Sequence, residues 1–133
     1  RAGKSVRRIF AEDGEGAFRA HEAACAGEVF AGPLVILAAG GGYAESEPNR
    51  SAARAAGLVV YLSVGIDVAA SRLAGVDDRP MVNGADAAPA LGELLRRREK
   101  GYLEADHTVV TDGRTPDAVA DLVASLARRR GGW

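Results

Sequence analysis

The chain has 133 residues, with 17 basic and 18 acidic side chains, a net charge of −1, and 47% hydrophobic and 26% charged content. That is the composition of one soluble globular domain; it excludes disorder, collagen and coiled coil, and lacks the concentrated basic face that nucleic acid requires. No run approaches the roughly 20 apolar residues of a membrane span and no secretory signal opens the chain, so the expectation is a cytoplasmic protein with no membrane partner.

In chain order, Gly3-Lys4-Ser5 comes first. It has the form of the end of a phosphate-binding loop, but that loop needs an earlier glycine five residues before Gly3, and only Arg1 and Ala2 precede it. The segment from Ser5 to Phe10 is also too short for the helix such a loop feeds, because Asp13-Gly14 interrupts. We read it as a decoy. Glu15 to about Phe30 reads as a helix of four turns, and within it Arg19 and Glu22 form an i,i+3 pair beside Phe18. Leu34 to Leu37 is predicted as a strand, and Gly40-Gly41-Gly42 follows it directly. Three glycines at a strand's carboxyl end let the chain turn sharply and expose N–H groups to a polar ligand; a flexible turn is the alternative.

Asn49 to Ala56 is a predicted helix after Pro48, Leu58 to Leu62 a second strand, and Asp67 to Leu73 the next helix. From Gly75 to Ala88 the pattern breaks into Gly, Asp, Asn, Pro and Ala, which predicts a mobile lid over about 75–88 carrying Arg79-Pro80. Ala90 to Lys100 is helical, with Arg96, Arg97 and Arg98 on it, of which only one or two can face a given site. Thr108 to Thr111 is the third strand. The last helix is the clearest: Thr115 caps it, Pro116 takes its first position, Ala118, Val119, Leu122, Val123 and Leu126 share a face, and Arg128 to Arg130 close it.

The three strands are too continuously apolar for a sheet with one wet face, so they suit a buried parallel sheet. Strand and helix in alternation predict an α/β fold, a three-layer parallel sheet with helices on both faces and ligands at the strands' carboxyl ends. Cys25 can form neither an internal disulfide nor a cysteine cluster, and His21 and His107 leave little for zinc. Of the 17 basic residues only Lys4 and Lys100 are lysines, which fits planar recognition of phosphate and carboxylate or a codon bias.

Taken in order, these segments resemble the shikimate kinase family over essentially the whole chain. The residues that carry the likeness are Arg1 to Val6, Ile9-Phe10-Ala11, Asp13-Gly14-Glu15, Phe18-Arg19, Glu22, Val35 to Gly42, Pro48-Asn49-Arg50, Gly57 to Leu62, Arg79-Pro80, Arg98 with Tyr102, and Thr111 to Pro116. The resemblance implies a kinase of the P-loop type that transfers phosphate from ATP, with Mg2+, to the 3-hydroxyl of shikimate on the way to chorismate and the aromatic amino acids. It implies that Arg19, Arg98, Gly41 and Gly42 hold shikimate, that Phe10, Phe18, Glu22 and Pro80 line its pocket, that Arg79 stabilises the transferring phosphate, and that Arg72, Arg79, Arg114 and Pro116 bind the nucleotide. A guanidinium binds a carboxylate bidentately, and two from different helices define a plane and an orientation that one lysine could not.

Against the family pattern, the first strand, nucleotide loop and following helix have no counterpart, and neither has the acidic segment expected to supply the Mg2+ ligands. The 133 residues are therefore expected to form a single partial domain, inactive alone and monomeric when complete. The strand at 34–37 and the strand at 58–62 would lose the central strand between them, exposing unpaired groups or repacking against each other. Tyr43 is bulkier than the family's usual residue, and Lys100-Gly101 replaces a proline-leucine pair. The alternatives are a non-catalytic remnant that binds a small hydroxy acid, and a related small-molecule kinase such as gluconate kinase.

Overall fold

The computed structural model describes residues 3–73 and 87–130. The chain divides into two compact units, meeting in sequence between Ala56 and Gly57.

The first unit is helical. Helix α1, Val6–Glu12, is capped by the Ser5 hydroxyl, which accepts the Arg8 N–H at 3.3 Å. Asp13 ends it, and Gly14, at φ 82°, takes the left-handed conformation that lets the chain pass directly into α2, Gly14–Phe30. Lys4 spans this junction, with Nζ 2.7 Å from an Asp13 oxygen and 3.1 Å from a Glu12 oxygen; these two carboxylates raise its pKa. The segment with the look of a phosphate loop thus serves as a helix cap and an ion pair. Helix α1 packs on α2 through Ile9, which is buried, and through Phe10 and Phe18, whose ring centroids lie 4.7 Å apart.

The predicted strand at 34–37 is not formed. A strand persists by exchanging N–H and C=O groups with a neighbour, and among the described residues none pairs with it. Leu34 and Ile36 are 76% and 85% exposed. Beyond it the chain turns at the glycines, Tyr43 N–H bonding to the Gly40 carbonyl at 2.9 Å, into a short 3-10 turn over Tyr43–Glu45. Helix α3, Glu47–Ala56, begins earlier than predicted, because Pro48 lies in its first turn, where a missing N–H costs nothing.

The second unit holds the sheet. Strands β1, Val60–Ser63, and β2, His107–Val110, pair in parallel, with Val60 opposite His107 and Ser63 opposite Val110. Among the described residues the sheet has these two strands, where three were expected. Strand β1 starts later than predicted because the Val59 N–H goes to the Asp106 carboxylate at 2.9 Å rather than to a ladder. Asp106 also takes Arg130 Nη2 at 3.0 Å, so one carboxylate ties the start of the sheet to the end of the last helix. The Val59 N–H, with Arg130 behind it, outweighs burial and lowers the Asp106 pKa.

Helix α4, Ile66–Leu73, follows β1, and α5, Ala87–Tyr102, precedes β2. Residues 87 and 88, assigned above to the lid, are helical, and Pro89 fits the first turn. Tyr102 stacks on Tyr61 of β1 with centroids 4.9 Å apart, which fastens the end of α5 to the sheet. Helix α6, Pro116–Arg129, is as predicted, with the Thr115 hydroxyl accepting the Ala118 N–H at 3.3 Å and Pro116 in the first turn. Among the described residues no helix is long and apolar enough to cross a membrane.

Candidate functional site

The first unit brings five of the sequence-predicted residues together. Arg19 projects from α2 between two carboxylates of the same helix, with Nη2 3.0 Å from Glu15 and Nη1 2.8 Å from Glu22. Its guanidinium carbon lies 5.2 Å from the centroid of the Phe18 ring, which in turn contacts Phe10. An i,i+3 pair on a free surface would be worth tenths of a kcal/mol. This pair is partly withdrawn from water, with the side chains of Arg19 and Glu22 exposed by 26% and 15%.

The cover comes from the triple glycine. Gly42 is buried, and a Cβ placed on it would overlap the Arg19 guanidinium, 2.7 Å from Nη1. A Cβ on Gly40 would stand 2.5 Å from Glu22 Oε1. Two glycines two residues apart thus accept the two halves of one ion pair, and a side chain at either position would require that pair to shift. Gly41 between them is exposed.

The guanidinium carries five N–H donors, and the bonds to Glu15 and Glu22 engage both terminal nitrogens. Burial acts to lower the Arg19 pKa, but the bonds to Glu22 and Glu15 outweigh it and raise it. Glu15 is the exposed partner, its side chain half open to solvent at 50%. Tyr43 is buried next to this corner, and burial, followed by the charge of Glu22, raises its phenol pKa. A cleft of about 180 Å³ shares Glu22, Gly40 and Tyr43 with the corner and runs on to Cys25, Val29 and Leu37.

The second unit gathers Arg72 and Arg114 at the carboxyl end of β2. Arg72, on the last turn of α4, donates from Nη2 to the Thr111 carbonyl at 3.2 Å and from Nη1 to the Thr111 hydroxyl at 3.4 Å. Arg114 donates from Nε to the Val110 carbonyl at 3.0 Å and from its backbone N–H to the Thr111 carbonyl at 3.2 Å. Pro116 follows two residues later, at the head of α6. Two planar cations on adjacent peptide carbonyls, with a proline ring nearby in sequence, offer flat faces suited to an aromatic base.

Arg98 lies half-buried on α5, whereas Arg96 and Arg97 are exposed and Arg96 pairs with Glu93. Arg79 and Pro80 lie outside the described residues. Sequence reasoning named four residues only within longer motifs and gave them no role of their own: Glu15, whose spacing from Arg19 was the available signal, and Gly40, Thr111 and Asp112, whose roles depend on distant partners. Among the described residues no three His, Cys, Asp or Glu side chains converge to hold a metal ion.

The sequence profile of the family described as shikimate kinase matches residues 1–127. The shikimate kinase of Pseudomonas syringae pv. syringae is 41% identical over 129 residues, spanning 96% of this chain and 75% of that protein. That of Chlorobaculum tepidum is 34% identical over 136 residues, spanning 96% and 71%. Among solved structures, the shikimate kinase from Acinetobacter baumannii in complex with shikimate superposes with a TM-score of 0.88 at 27% identity, covering 97% of this chain and 73% of that one.

Proposed function

The chain belongs to the shikimate kinase family, and from that premise we propose that its Arg19–Gly42 corner holds the carboxylate of shikimate and that Arg72, Arg114 and Pro116 hold the adenine of ATP. The family reaction is the ATP-dependent phosphorylation of shikimate in aromatic amino-acid biosynthesis, with Mg2+ as the metal and a P-loop kinase fold as its frame. We place it in the cytoplasm.

The observation that carries the acceptor assignment is the buried contact of the Arg19 guanidinium with Gly42. A guanidinium fixed on both sides by carboxylates and backed by a bare backbone loses little further freedom on binding an anion, which is what preorganisation requires. Glu22 stays as the less exposed partner that orients Arg19. Glu15, exposed by 50%, is the partner an incoming carboxylate displaces. The family likeness assigns a second guanidinium to Arg98, the ring hydroxyls to Gly41, the apolar face of the ring to Phe10, Phe18 and Pro80, and the charge on the transferring phosphoryl group to Arg79.

The residues assigned here act on the two organic substrates. Holding acceptor and nucleotide in line is most of what this chemistry asks of a protein, because the transition state has little covalent need beyond position and charge. Titrating the chain separately with shikimate, gluconate and adenosine tests the assignment. Binding of shikimate and adenosine, with gluconate at least tenfold weaker, is expected; equal affinity for gluconate would favour the polyol-kinase alternative.

A further inference from the structure

Thr111, 8% exposed, is a buried polar residue, and its hydroxyl meets both Ser63 of β1 and Arg72. Its backbone N–H and its hydroxyl both donate to the Ser63 carbonyl, at 2.8 and 2.9 Å. A hydroxyl has one proton, and here it is spent on Ser63. Its lone pairs therefore point elsewhere, and Arg72 Nη1 takes one at 3.4 Å while Nη2 takes the carbonyl of the same residue at 3.2 Å. The next residue, Asp112, accepts the Gly65 N–H on both carboxylate oxygens at 3.1 Å, immediately ahead of α4. Helix α4 is thus held at its start by Asp112 and near its end, through Arg72, by Thr111.

We propose that Thr111 is a positioning residue for the nucleotide: its hydroxyl, fixed by Ser63, sets the plane of the Arg72 guanidinium on which the adenine rests. The proposal depends on the reading that Arg72 binds adenine. It goes beyond that reading because it makes a buried hydroxyl that touches no substrate responsible for the geometry. Without the hydroxyl, Arg72 keeps one oxygen partner and rotates about it. With it, the fork is held at two points, and a held fork stacks with less loss of freedom.

Adenosine, which has no phosphate, is the probe, titrated against the chain and followed by ligand-observed NMR. Thr111→Val keeps the side-chain shape and removes the hydroxyl, and it should weaken adenosine by about three- to tenfold, the scale of one lost hydrogen bond. Thr111→Ser should restore affinity to within about twofold, and the shikimate titration should not change in either variant. Arg72→Ala combined with Thr111→Val should bind no more weakly than Arg72→Ala alone. Should Thr111→Val fail to fold, Arg72→Lys probes the same contact from an exposed position: it keeps the charge but cannot fork, so it should lose as much as Arg72→Ala.

Wild-type adenosine affinity in Thr111→Val, additive losses in the double variant, or full affinity in Arg72→Lys would each overturn the proposal while leaving an effect of Arg72→Ala to support the adenine assignment. No effect of Arg72→Ala would overturn both.

Discussion

Replacing Gly42 by alanine should weaken shikimate binding through Arg19 alone. The added Cβ would stand 2.7 Å from Nη1 and overlap the rest of the guanidinium, inside the 3.4–4 Å of ordinary contact. Arg19 must then shift by about an ångström, which takes its guanidinium out of place for the acceptor carboxylate and forfeits the charge-assisted bond between them. A charge-assisted bond contributes about 1.5–3 kcal/mol, and solvent screening of a partly exposed group reduces this to about 1–2 kcal/mol. Since 1.4 kcal/mol is tenfold, affinity for shikimate should fall about 5- to 30-fold. Isothermal titration of four proteins measures it: wild type, Gly42→Ala, Arg19→Ala and the double variant. The loss from Gly42→Ala should nearly vanish when Arg19 is already alanine, the non-additivity expected of side chains in contact. Gly57→Ala, at a site with nothing within 4 Å of the added carbon, is the control and should bind as wild type. Equal losses from Gly42→Ala with and without Arg19 would refute the reasoning.

Three further outcomes follow from the geometry. Gly27→Ala, inside α2 with open space at its Cβ, should raise stability by about 0.5–1 kcal/mol in a denaturant titration; a loss would mean that the helix is constrained there by something other than propensity. The Asp106 pKa is lowered in the folded chain, so the stability this carboxylate confers is complete above the unfolded value of about 3.9 and is lost as pH falls below it. The stability gap between wild type and Asp106→Asn should therefore shrink from pH 5 toward pH 2, and a gap constant over that range would contradict the assignment. Finally, no G-x-x-x-x-G-K-[ST] segment occurs within these 133 residues to cradle the β- and γ-phosphates, so the isolated chain supplied with ATP, Mg2+ and shikimate should release no detectable ADP. Turnover would disprove that.

What could be read from the sequence was what depends on neighbours in the chain. The last helix was legible from Thr115, Pro116 and its apolar face, because caps and periodicity are local. Arg19 with Glu22 was legible as a pair by its spacing. The segment at 34–37 has the apolar, β-branched composition of a buried strand, but a strand also needs a neighbour, and of the two outcomes expected where the family's central strand has no counterpart the described residues show the exposed, unpaired one. The boundaries of β1 shifted for a similar reason, since Asp106, far along the chain, takes the Val59 N–H. Gly42 was read as a turn glycine that exposes its N–H to a ligand, and the distances add a steric use that no local pattern reports: the guanidinium of a residue 23 positions earlier occupies the place of its side chain. Thr111 was read as the end of a strand, and only its distances to Ser63 and Arg72 reveal a buried hydroxyl with both faces engaged.

The account turns on whether the acid group of the acceptor meets Arg19, and comparing shikimate with its methyl ester tests this most directly. In wild type the ester, which has no negative charge, should bind at least tenfold more weakly than the acid. In Arg19→Ala the acid should fall to nearly the level of the ester, and the ester itself should change little. An ester that loses as much as the acid in that variant would show that Arg19 supports the fold or another part of the ligand, and would contradict the assignment.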